Sequence, residues 1–268
     1  MAFDESNIRS ARERLRGILG EMKSVAVAFS GGVDSALVAQ VAYDTLKSAA
    51  VAVTSRSPTV PALQIEAAKA TAAAIGIRHL FVQSNELAIP GYAENGNDRC
   101  YLCKNDLYGR IFEVARAASI QHVADGAHLD DLSDTRPGRL AASERGVRSP
   151  LVEAGLNKAN VRALARAYGL SVWDQPASAC LSSRFPHGTE IRDERLRQVE
   201  AAEAILHRAG FRRCRVRYHE AIARIELPSE DMIGLLDPER RAHVVAEIRA
   251  CGFQWVTLDL IAAEKLGV

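Results

Sequence analysis

The most constraining feature is an apolar run that ends in a glycine turn and opens directly into a helical pattern. Residues 24–29, Ser24-Val-Ala-Val-Ala-Phe29, have the length and composition of a strand buried on both faces. Ser30-Gly31-Gly32-Val33-Asp34-Ser35 follows, and residues 34–47 read as a helix. Backbone N–H groups at such a turn, with the positive end of the helix dipole behind them, form a nest for phosphate oxygens. Two glycines let that backbone approach an anion without a Cβ in the way. Ser30 and Ser35 add hydroxyls, and Asp34 is placed to orient the loop or help hold Mg²⁺. The lysine of a Walker A loop is missing, so this is a different phosphate loop.

The alternation continues with a strand at 50–54, a helix over 62–75, a strand at 79–82, a helix over 106–118 and a strand at 122–125. Strands and helices at this pitch predict right-handed crossovers, so the fold class is α/β with a doubly wound parallel sheet. Residues 84–99 and 126–150 are loops long enough to be functional. Asn157 predicts a helix N-cap, with the helix ending near Gly169 and a last strand at 170–173. Beyond Asp174 the pattern changes to a Pro- and Ser-containing segment over 175–188 and a charged helix over 193–209. Two β-like runs at 214–219 and 221–227, a helix over 239–251 and a strand at 255–260 complete it. This divides the chain into residues 1–175 and a smaller α+β domain, 176–268.

With 34 basic and 33 acidic residues the net charge is +1, which argues against a surface devoted to nucleic acid. No apolar run reaches the roughly 18–20 residues of a membrane span. Acids stand near the amino terminus where a signal peptide has bases, so a cytoplasmic protein is expected. Five cysteines in a reducing compartment favour metal or catalytic use over disulfides. Cys100 and Cys103 have C-x-x-C spacing, which alone leaves metal, cluster and redox uses open. Cys214 and Cys251 sit in apolar patterns and read as core residues. Cys180 lies in an aperiodic segment beside Arg184, a guanidinium suited to phosphate or carboxylate and favourable to a thiolate. Asp125 stands at a strand's carboxyl end, where open parallel sheets bind ligands. Arg215 and Arg217 alternate on a β-like run and share one face.

The Ser30–Ser35 hexapeptide resembles the PP-loop of the ATP pyrophosphatases, a fold of the HUP type. Those enzymes transfer AMP to an acceptor oxygen, release pyrophosphate, and let a nitrogen or sulfur nucleophile displace AMP. Taken with Asp134-Thr-Arg-Pro-Gly138, Cys180-Leu-Ser-Ser-Arg-Phe-Pro-His-Gly188, Arg215-Val-Arg-Tyr-His219 and Ala223-Arg-Ile-Glu-Leu-Pro228, the sequence resembles the LarE family of ATP-dependent sulfur transferases. The resemblance implies adenylation of the carboxylates of pyridinium-3,5-biscarboxylic acid mononucleotide and their conversion to thiocarboxylates, for the nickel-pincer nucleotide of lactate racemase. It assigns ATP to Ser30, Gly31, Gly32, Asp34, Ser35 and Asp125, and substrate to Lys104, Arg136, Arg184, Arg215 and Arg217. Cys180, Asp34, Ser183 and Arg184 carry the catalytic roles. Glu203 and Glu226 are candidate divalent-ion ligands, with helix-surface pairing the alternative for Glu203.

Cys100 and Cys103, beside Cys180, resemble the three-cysteine branch, in which three thiolates hold a 4Fe-4S cluster. Single-cysteine members instead sacrifice the sulfur of the cysteine matching Cys180. ATP, Mg²⁺ and the cluster are thus the expected cofactors, with a small nucleotide as substrate. A homo-oligomer and hand-over to a nickel-inserting partner accompany them. A tRNA-thiolating PP-loop enzyme of the TtcA type is the rival enzyme, discriminated by salt-dependent tRNA binding. An amide-forming NAD or GMP synthetase relative would not need the three cysteines, and a nucleotide-sensing metal-binding protein would release no pyrophosphate.

Overall fold

The computed structural model describes residues 5–133, 137–175 and 179–261. Inter-residue contacts divide it into two compact units, the first Met1–Asn85 with Asp98–Gln175 and the second Glu86–Asn97 with Pro176–Val268. A contiguous division at residue 175 would assign Glu86–Asn97 to the first unit, yet its contacts belong to the second. Polar groups account for this. The Tyr92 hydroxyl bonds Ser182 Oγ at 2.7 Å, and Asn95 Nδ2 donates to the Pro186 carbonyl at 2.7 Å. Backbone bonds run from Gly188 to Asn95 and from Ile191 to Ala93.

In the first unit, α1 (Glu5–Glu21) leads into β1 (Val25–Ala28), α2 (Val33–Leu46), β2 (Ala50–Arg56), α3 (Ala62–Ile75) and β3 (Arg78–Gln83). After the excursion into the second unit come α4 (Arg99–Ala117), β4 (His122–Ala124), α5 (Pro137–Glu144), α6 (Pro150–Glu153) and α7 (Lys158–Ala167). The four strands are parallel in the order β3-β2-β1-β4. The chain winds outward through β2 and β3 and then returns to the other side of β1, so the strand order reverses between β1 and β4. That reversal is the switch point at which open α/β sheets bind ligands, outside the strands' carboxyl ends. The glycine turn leaves β1 there and Asp125 leaves β4 there.

β1 is buried on both faces, which is why it reads as an unbroken apolar run. Val25 and Val27 pack with α1, α2 and α7 side chains such as Leu15, Leu37 and Leu164, whereas Ala26 faces Tyr108 and Ile111 of α4. Among the described residues no helix is long and apolar enough to cross a membrane.

Three first-unit expectations are corrected, the first being the loop expected over 126–150, which contains α5. α4 begins at Arg99 rather than 106, so Cys100 lies in its first turn and Cys103 one turn further on. Its opening residues carry no clean apolar period, with Arg99 buried, Tyr101, Leu102 and Cys103 half-buried and only Cys100 exposed, which concealed this start. Residues 170–173 form turns rather than a strand, with Trp173 N–H bonded to the Leu170 carbonyl. Leu170 and Val172 are buried, so the apolar character signals core packing without a sheet edge to join.

The second unit contains α8 (Asp193–Arg208), β5 (Arg215–His219), β6 (Ile222–Glu226), α9 (Ser229–Leu236), α10 (Pro238–Ala250) and β7 (Trp255–Leu258). β5 and β6 form an antiparallel hairpin, and β7 joins β6 in parallel. Its Val216, Tyr218, Ala223 and Ile225 are buried together with Leu196, Val199 and Ile248 of the helices. Sequence periodicity misses α9, a helix of only two turns.

Candidate active site

The glycine turn is braced by its own serines. Ser35 Oγ accepts from Ser30 N–H and donates to the Gly32 carbonyl, both at 3.2 Å, while Ser30 Oγ accepts from Gly32 N–H at 3.3 Å. Ser35 is 4% exposed, so its hydroxyl maintains the loop's shape. Gly32 caps α2 in an extended conformation with no side-chain capping bond, which leaves the first-turn amides to an external acceptor. Two glycines are sterically required. Gly31 has φ +79°, and a Cβ there would lie 2.6 Å from Ala68 Cα of α3. A Cβ on Gly126 would lie 2.8 Å from the Ser35 nitrogen, so the chain leaving β4 passes directly against the start of α2.

Asp34 projects from this first turn, and Lys158 Nζ bonds both its carboxylate oxygens at 2.7 and 2.6 Å. Lys158 opens α7, whose N-cap Asn157 forms a reciprocal capping box with Asn160, as the sequence predicts for residue 157. Lys158 N–H donates to Asp130 Oδ2 at 2.8 Å. Lys158 belongs to none of the motifs legible in the sequence. Its signal is a cation in the first turn of a helix, where the dipole disfavours positive charge unless an anion is near.

Asp125 is engaged within the protein. Tyr108 donates to Oδ2 at 3.1 Å, Ser149 to Oδ1 at 2.8 Å, and Ala127 N–H to Oδ1 at 3.1 Å. Burial, then the Asp125 charge and hydrogen bond, push the Tyr108 phenol far above its ordinary pKa, so it remains a donor. These bonds brace the switch point at which the ATP contact of Asp125 is expected. Cys100 is exposed and Cys103 half-buried on α4, and Lys104 beside them is exposed. Arg136, with residues 134 and 135 before it, lies outside the described residues, and Pro137 and Gly138 open α5.

In the second unit Cys180 precedes a single turn of 3-10 helix, Leu181–Arg184. Its carbonyl accepts from Ser183 N–H at 3.0 Å, Ser183 Oγ at 2.8 Å and Arg184 Nη1 at 3.2 Å. Arg184, 5% exposed, pairs with Glu203 through two bonds of 2.9 and 3.1 Å, and its Nη1 also reaches the Ala179 carbonyl at 2.9 Å. Glu203, 6% exposed on α8, accepts from Val216 N–H of β5 at 3.0 Å. Arg217 bonds Glu226 at 2.9 Å and the Ser183 carbonyl at 2.5 Å, while Arg224 also pairs with Glu226. Both acids expected to bind a divalent ion therefore face arginines. Among the described residues no three His, Cys, Asp or Glu side chains gather as a metal site.

Arg215 and Arg217 share the half-buried face of β5, as their alternation predicts. Burial, followed by the Arg184 and Arg217 charges, lowers the Arg215 pKa. A guanidinium stays protonated in proteins, so Arg215 remains a cation on this face. Cys214 is inert: burial, then the Glu203 charge, push its thiol up to about 12. Cys251, expected in the core, is only half-buried, with its thiol on the Glu247 carbonyl. Among the described residues no cysteine is in a disulfide.

Comparison with known proteins agrees with this geometry. The NAD synthase family model matches residues 11–107, the segment that spans the glycine turn. An uncharacterised protein of Synechocystis sp. is 46% identical over 94% of both chains. The pyridinium-3,5-bisthiocarboxylic acid mononucleotide synthase of Lactiplantibacillus plantarum is 36% identical, covering 95% of this chain and 92% of its own. An uncharacterised protein of Methanocaldococcus jannaschii is 25% identical over 89% and 90%. The glycine turn at the switch point, within the matched family segment, and near-full-length identity to the L. plantarum enzyme place this chain in the LarE family of ATP-using PP-loop sulfur transferases.

Proposed function

We propose that this enzyme converts the carboxylates of pyridinium-3,5-biscarboxylic acid mononucleotide to thiocarboxylates at the expense of ATP. The observation that carries the reading is the near-full-length identity to the L. plantarum synthase, in a chain whose glycine turn keeps its uncapped amides. A substrate carboxylate oxygen attacks the α-phosphorus of ATP, the α–β bridging P–O bond breaks, and pyrophosphate leaves. The amides of α2 hold the charge that develops on pyrophosphate. Asp34 would hold Mg²⁺ there, supplying charge neutralisation at the phosphates, and the Lys158 ammonium beside it is a second cation for phosphate oxygens. Arg215 and Arg217 meet the anionic groups of the substrate. A sulfur nucleophile then attacks the acyl carbon of the adenylate, and AMP leaves.

Two sulfur sources suit the cysteines. In one, Cys180 Sγ is the nucleophile; its Cβ–S bond then breaks as the Cα proton is removed, leaving thiocarboxylate on the substrate and dehydroalanine in the chain. In the other, Cys100, Cys103 and Cys180 hold a 4Fe-4S cluster, whose chemistry when bound is to present an extra sulfide. The donor set fits iron, because thiolates are its usual cluster ligands, and Cys100 and Cys103 stand one helical turn apart on an accessible face. We favour the cluster because the sacrificial route has no use for Cys100 and Cys103. A reducing, cytoplasmic setting, self-association and transfer of product to a nickel-inserting partner belong to the same reading.

Pyrophosphate release that requires both ATP and the biscarboxylic nucleotide is the expected result; release of none with this acceptor overturns the reading. Reconstitution with iron and sulfide without oxygen, followed by electron paramagnetic resonance, tests the cluster. A Cys180→Ala variant that binds it as well as wild type excludes the three-cysteine ligation. Mass spectrometry after one turnover separates the sulfur sources, since sacrifice removes the elements of H₂S from Cys180.

A further inference from the structure

We propose that Arg184 and Glu203 are positioning residues that lock the backbone of the Cys180 turn to β5, and that Arg184 is not a substrate ligand. The proposal rests on the sulfur-transfer reading for its kinetic consequence, but its structural content stands on the bonds themselves. The guanidinium spends Nε and Nη2 on Glu203 and Nη1 on the carbonyls of Ala179 and Cys180 and on Ser183 Oγ. Glu203 in turn holds Val216 N–H, between Arg215 and Arg217. One continuous chain of bonds thus runs from the Cys180 carbonyl through Arg184 and Glu203 to the strand that carries the anion-binding arginines. With both side chains under a tenth exposed, the pair has little surface left for substrate, whereas Arg215 is only half-buried.

This arrangement needs the planar fork of arginine. Two parallel N–H bonds reach one carboxylate while the remaining nitrogen turns to the carbonyls, a division that a single ammonium cannot reproduce. All of these bonds end on backbone or on Glu203 and Ser183, and none uses the sulfur. The turn is therefore fixed while the thiol stays available for chemistry.

The test uses the full-length protein below the melting temperature of each variant. Arg184→Gln, Arg184→Lys and Glu203→Gln are followed by amide hydrogen exchange and by substrate kinetics. All three should speed exchange of the Ser183 amide, which donates to the Cys180 carbonyl, without altering exchange in β6. Each should lower kcat about 10- to 100-fold with KM for the nucleotide within about twofold of wild type, as expected for misplacement of a reacting group. Arg184→Lys restoring kcat, or Arg184→Gln raising KM tenfold at constant kcat, would show that the charge contacts substrate and overturn the proposal. Glu203→Gln with unchanged Ser183 exchange would also overturn it. Exchange needs no substrate, so the clamp is decided even if the wild-type enzyme proves inactive on the pyridinium nucleotide and the functional reading falls.

Discussion

At the scale of single residues, the five cysteines divide by environment. Cys214 is buried with its pKa pushed up to about 12, whereas Cys100 is exposed. Alkylation of the native protein near neutral pH, read by mass spectrometry, should therefore modify Cys100 well before Cys214. The Cys214 shift also has a sign for stability. The folded thiol holds its proton to higher pH than the unfolded one, so the native state binds more protons once pH exceeds the unfolded value. Its stabilisation is full below pH 9 and is lost as pH rises towards about 12. Thermal melts of wild type and Cys214→Ala should converge over that window. Arg215 carries a second prediction. Removing its charge by Arg215→Gln should raise KM for the nucleotide about 10- to 100-fold, the worth of a charge-assisted hydrogen bond, with little change in kcat. C-x-x-C spacing and the alternation of Arg215 and Arg217 were legible because both are local. Lys158 and the engagement of Arg184 with Glu203 were not, because their partners lie 124 and 19 residues away.

At the scale of elements, the strand–turn–helix unit around Ser30–Ser35 was readable because its glycines are required by geometry. Gly31→Ala places a Cβ against the Ala68 backbone and a side chain at φ +79°. The combined cost is about 2–5 kcal/mol, from left-handed backbone strain and overpacking. Denaturant unfolding should show that loss, and ATP-dependent pyrophosphate release should disappear as α3 and the turn move apart. Asn157→Ala tests the other wall. Loss of the cap should cost about 1 kcal/mol. Because Lys158 begins the same helix, KM for ATP should rise more than kcat falls. What the sequence concealed at this scale are elements whose period is weak, the first turn of α4 and the short α9. The apolar run at 170–173 misleads because a buried turn and a strand have the same composition.

At the scale of the molecule, the parallel sheet and the small α+β unit were legible from the change in pattern after residue 174. The assignment of Glu86–Asn97 was not. Nothing in its composition announces that Tyr92, 1% exposed, and Asn95, fully buried, find their partners at Ser182, Phe185 and Pro186. A fragment ending at residue 175 strips Tyr92 and Asn95 of all three partners. It should be cleaved by protease within residues 86–97, whereas the intact chain should resist there, and gel analysis of the digests separates the outcomes.

The same stitching has a consequence for synthesis on the ribosome. Tyr92 and Ser182 are separated by 90 positions, so at about 5–20 residues per second the aromatic segment leaves the exit tunnel roughly 5–18 s before its companion strand of chain is made. During that interval an incomplete second unit hangs from a first unit whose own sheet is already being paired. Slowing translation between residues 98 and 180 lengthens this exposure, and its cost would be read as aggregated nascent chains rather than as a less stable finished enzyme.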